Sequence, residues 1–65
     1  MKIFEYIITV ENEGELQLIF PEIRLCMAKD IDMAKILAAR SIPKEYENQI
    51  GNVKILVREF QSNLF

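Results

Sequence analysis

The chain has 65 residues, 51% hydrophobic and 28% charged, with two Gly and two Pro. That is the composition of one small globular domain, and it excludes collagen-like, linker-like and disordered chains. The formal charge of −2 excludes a protein that holds nucleic acid by phosphate neutralisation alone.

Lys2 to Glu11 is rich in β-branched and aromatic residues, with Phe4, Tyr6, Ile8 and Val10 at even positions and a mixed set, Ile3, Glu5, Ile7 and Thr9, at odd ones. The alternation predicts a strand with one buried face and one half-apolar face. Asn12-Glu13-Gly14 predicts a hairpin turn in which Gly14 takes a positive φ. A second strand follows, with Leu16, Leu18 and Phe20 expected on one face and Gln17 and Ile19 on the other. Pro21 interrupts it, and Ile23 to Met27 restarts extended structure as a third strand or a kinked continuation of the second. Asp30 has the character of a helix N-cap, and Asp32 suits the positive end of the dipole. Ile31, Ala34, Leu37 and Ala38 then share one helical stripe. The helix is expected to end near Ser41, because Ile42 precedes Pro43 and is steered away from the α region. Lys44 to Asn52 reads as a polar connection, and Val53 to Phe60 alternates again as a last strand.

The predicted fold is a single α+β domain over residues 1–65. It is an antiparallel sheet of three to four strands in β-β-(β)-α-β order, with one helix packed on one face. The helix is expected to rest on Phe4, Tyr6, Ile8, Leu16, Leu18, Val53, Ile55 and Val57. One helix covers one side of a sheet, so Ile3, Ile7, Ile19, Leu56 and Phe60 are expected on the uncovered side. An uncovered apolar patch marks an interface.

Little catalytic chemistry is legible. Without His there is no Ser–His or Cys–His pair, and Ser41 and Ser62 fall at element ends with no base nearby. The single cysteine, Cys26, cannot close an internal disulfide and fits a reducing compartment. No His and no second Cys removes a structural zinc site, and no Gly-rich phosphate loop is present. The expectation is a protein that is not an enzyme and has no cofactor, no metal and no direct nucleic-acid ligand. Charge at Lys2 and Glu5 breaks up the first apolar stretch, and no uncharged run exceeds the length of Leu16 to Pro21. A cytoplasmic location, in its own cell or a host's, is therefore expected, with no membrane partner.

Phe20-Pro21-Glu22-Ile23, followed by Cys26 and an alanine-rich helix, resembles the partial RNase-H-like module of HicB antitoxins. The stretch Val10 to Arg40 follows that module's order of strand, acidic Gly turn, strand, Phe-Pro, Cys and helix. Arg24-Leu25 stands where the family has Pro-Gly, and the segment from Cys26 to the helix is shorter. The resemblance implies a module without nuclease activity that binds and masks a small RNA-cleaving toxin. The strand order, acidity and size are also similar to those of small bacteriophage inhibitors of host RNA polymerase and of anti-CRISPR proteins.

These threads lead to one expectation, a non-catalytic inhibitor that blocks a nucleic-acid-processing protein. Its contact residues are expected at the acidic tip, Glu11, Glu13 and Glu15, and on the sheet face, Ile3, Ile7, Ile19, Leu56, Arg58 and Phe60. Glu45 and Glu47 form a second acidic knob. The alternative is a structural homodimer using the sheet face or the last strand's edge. A further alternative lies in residues 61–65, where Gln61, Leu64 and Phe65 resemble the peptide that docks on bacterial sliding clamps, or else fold back on the sheet.

Overall fold

Every strand of the sheet is paired to β1 (Lys2–Asn12) in the computed structural model, which describes residues 1–61. β2 (Glu15–Leu18) and β3 (Arg24–Ala28) are both antiparallel to it, β2 along Thr9 to Asn12 and β3 along Lys2 to Tyr6. β4 (Val53–Glu59) is antiparallel along Phe4 to Val10. Tyr6 pairs with both Arg24 and Val57, and Thr9 with both Leu18 and Lys54. A strand has two edges, so β2 and β3 share one and β4 holds the other. β2 and β3 are thus one interrupted line, as the proline predicted.

The turn sets the register. Glu13 and Gly14 both have positive φ, 52° and 82°, the pairing of a two-residue hairpin whose twist matches its strands. It places Asn12 opposite Glu15 and Val10 opposite Gln17. Directly opposed residues share a face, so the even residues of β1 lie with the odd residues of β2. Leu16 and Leu18 therefore point away from the helix and are exposed, not in the core as the alternation alone suggested. Ile19, expected on the uncovered side, instead packs with Tyr6, Ile8 and Ala38, and its amide donates to the Ile8 carbonyl at 2.9 Å. Between the Thr9–Leu18 and Tyr6–Arg24 pairs, β1 advances three residues while its partner advances six. That bulge reverses the parity, so Cys26 and Ala28 face the helix while Leu25 and Met27 do not. Phe20, within it, is half-buried under the Arg24 guanidinium, 4.2 Å from the ring centroid.

α1 (Ile31–Arg40) starts at Asp30, whose carboxylate accepts the Met33 amide at 2.9 Å. It meets the sheet through Ala34 and Ala38, both fully buried, with half-buried Leu37 beside Phe4 and Ala28. Methyl-sized contacts let the helix axis approach closely, which turns Ile31 to the flank, 41% exposed. Ile31 is thus outside the core stripe. Helix end and sheet are joined by polar groups: the Tyr6 hydroxyl donates to Ser41 Oγ at 3.2 Å, and Ser41 Oγ donates to the Ala38 carbonyl at 2.6 Å. Lys44–Asn52, expected as a plain connection, forms 3-10 turns. The core holds Phe4, Tyr6, Ile8, Val10, Ala28, Ala34 and Ala38, with Val53, Ile55 and Val57 half-buried around it. No helix among the described residues is long and apolar enough to cross a membrane.

Candidate interaction surface

The pairing fixes what lies on the side of the sheet away from α1. On β1 it carries Ile3, Glu5, Ile7, Thr9 and Glu11. On the edge formed by β2 and β3 it carries Leu16, Leu18, Leu25 and Met27, and Ile23 extends the row. On β4 it carries Lys54, Leu56 and Arg58. Phe60 prolongs that row, its amide donating to the Ile3 carbonyl at 2.8 Å.

The apolar side chains here are open. Leu16, Leu25, Met27 and Leu56 are 65%, 58%, 60% and 60% exposed, and Ile3, Leu18, Ile23 and Phe60 are exposed as well. Scattered single apolar residues are ordinary on a surface, but a contiguous set spanning every strand of a sheet is not. Ile7, Ile23 and Leu56 line a groove of about 360 Å³ near the middle of the face, with Glu5 and Arg58 on its wall.

Charge on this face is balanced. Arg58 Nε donates to Glu5 Oε2 at 2.6 Å, with the Glu5 side chain only 13% exposed and the Arg58 side chain 79% exposed. Lys54 and Glu11 complete the set, two cations and two anions. The β2–β3 edge contributes only apolar side chains to it.

Of the residues expected to bind a partner, the fold brings Ile3, Ile7, Leu56, Arg58 and Phe60 together on one surface. Ile19 is not among them, for the register reason given above. Glu11, Glu13 and Glu15 are exposed on the β1–β2 hairpin, but the pleat divides them: Glu11 belongs to the open face, Glu15 to the opposite one, and Glu13 to the turn. β2 is exposed along its whole length, so the acidic hairpin projects past the layer covered by α1. Glu45 and Glu47 are exposed in the 3-10 segment, whose end enters β4 at Val53, opposite Val10. Gln61 is exposed, while Leu64 and Phe65 lie outside the described residues.

Leu16, Leu18, Ile23, Leu25 and Met27 belong to the surface but not to the expected contact set. The signal that finds them is the parity of the two-residue turn, reversed by the bulge after Leu18. Cys26 is half-buried and faces the helix, packed against Phe4. Among the described residues no group of three or more His, Cys, Asp or Glu is placed to hold a metal ion. No family model, curated protein or solved structure matches the chain.

Proposed function

We propose that this chain is a non-catalytic protein-binding domain and that the open sheet face is its principal contact surface. The observation that carries this reading is the apolar sheet face that no other described residue covers. Among the described residues the large buried side chains are Phe4, Tyr6, Ile8 and Val10, while eight large apolar residues stand exposed together on one sheet face, the kind of patch that marks an interaction site. The absence of His from the sequence and the isolated position of Cys26 support binding rather than catalysis.

The projecting hairpin favours a target of particular chemistry. Glu11, Glu13 and Glu15 within five consecutive residues, beside exposed Leu16, fit a basic surface with an apolar margin. Proteins that handle nucleic acid present such surfaces, and occupying one blocks its substrate. The chain then acts as an inhibitor by masking, with charge complementarity accelerating encounter.

The test is affinity capture from source or host lysate by the intact protein, compared with the triple reversal of Glu11, Glu13 and Glu15 to Lys. The expected result is a captured nucleic-acid-binding protein whose recovery falls with the reversal and with added salt. Recovery indifferent to both refutes the masking role.

A further inference from the structure

Resting on the reading of the open sheet face as a contact surface, we infer that its occupant is a second copy of this chain, packed face to face about a two-fold axis. Three features favour a copy over a foreign partner. The first is extent: exposed apolar residues run across every strand of the face, from Ile3 and Phe60 at one end to Leu16 at the other, broad enough for an interface of standard size, which takes about 800 Å² from each partner. The second is charge. A face carrying Glu5, Glu11, Lys54 and Arg58 has no net charge, as a self-complementary surface requires, whereas the acidic hairpin turn is what faces a basic target. The third is supply. A core this small gains most from a cover that is present whenever the chain is present.

The arrangement of the rows also selects the axis. An in-plane two-fold axis across the strands sets β4 over β4 and brings Lys54 of one copy toward Arg58 of the other. An axis running along β1 instead sets β4 of one copy over the β2–β3 edge of the other. Leu56 then faces Ile23, Phe60 faces Met27, and the stem of Arg58 lies over Leu25. The Glu5 carboxylates approach across this axis, but each already accepts a bond from its own Arg58 at 2.6 Å. The second arrangement lays apolar rows over apolar rows along most of the face and leaves only Glu11, exposed at the hairpin end of β1, opposite its own copy, so it is the one assigned. In it the acidic turns remain free at the ends of the two sheets.

Sedimentation equilibrium of the full chain tests this, from micromolar to submillimolar concentration. The expected mass is that of a dimer, and Leu25→Glu or Leu56→Glu raises its dissociation constant about 100-fold or more, because each buries a charge opposite an apolar row. Ile36→Glu, on the exposed surface of α1, leaves it unchanged. Both face positions are already more than half exposed in one copy, and the far-ultraviolet dichroism of each variant checks that the fold persists. A dimer indifferent to both face substitutions overturns the inference, and so does a wild-type monomer throughout the range. In the monomer case, fluorescence of an anilinonaphthalene sulfonate dye separates the two readings. Dye binding abolished by Leu56→Glu keeps the face as a contact surface for another protein, whereas absence of dye binding removes the contact-surface reading too.

Discussion

Ile8→Ala is the sharpest test of where the core lies. Ile8 is 1% exposed at the centre of β1, against Ala38 on the helix and half-buried Ile55 on β4. Truncation removes three carbons, worth about 2.5 kcal/mol of transfer free energy. The close-packed alanine contacts leave α1 little room to settle, so a residual cavity raises the loss to roughly 3–4 kcal/mol. A domain of this length has a total stability of roughly 3–10 kcal/mol, so the variant is expected to melt roughly 12–30 °C lower. Ile31→Ala is the control. Ile31 lies on the same helical stripe by sequence but is 41% exposed, and alanine's better helix propensity offsets much of the lost burial. Its change is expected to stay below about 1 kcal/mol. Thermal and urea unfolding, followed by circular dichroism at matched concentration, measure both. A loss under about 1 kcal/mol at Ile8, or equal losses at the two positions, refutes the packing described.

The turn predicts a gain. Glu13 holds φ of 52°, a left-handed conformation in which Asn is far more at ease, so Glu13→Asn should raise stability by about 0.5–1 kcal/mol in the same melts. A lower midpoint contradicts the hairpin geometry. Asp30→Ala removes the acceptor of the Met33 amide and should cost about 1 kcal/mol, with Asp30→Ser restoring most of it; no loss would show that the helix begins elsewhere. Tyr6→Phe leaves Ser41 Oγ without its donor inside a part-buried contact and should cost about 0.5–1.5 kcal/mol. An unchanged midpoint argues against a bond between sheet and helix end.

Local signals carried the element order well. Asp30 caps α1, Ser41 ends it ahead of Ile42-Pro43, Gly14 takes the left-handed turn position, and Pro21 breaks the edge. What alternation could not supply was the face on which each strand's apolar set lies. In β1 and β4 the buried set could be identified, because only one parity is consistently apolar. Across β2 and the residues just after it both parities carry apolar side chains, Leu16 and Leu18 against Ile19, so the choice fell to the turn and to the bulge near Pro21, which shift register by whole residues. That one ambiguity moved Leu16 and Leu18 onto the open surface and Ile19 off it. The helix stripe failed at Ile31 for a different reason. Small residues at Ala34 and Ala38 draw the helix down on a narrow line, and a stripe drawn by hydrophobicity alone is wider than that line.

The central claim, that the open face is covered by a partner in solution, is tested most directly by methyl NMR with a soluble paramagnetic agent. Ile, Leu and Met methyls are labelled in the full chain at submillimolar concentration. The account predicts that Leu25, Met27 and Leu56 are shielded from the agent, although single-chain exposure equals or exceeds that of Met33 and Ile36 on the outer side of α1, which broaden strongly. Equal broadening of both sets contradicts it.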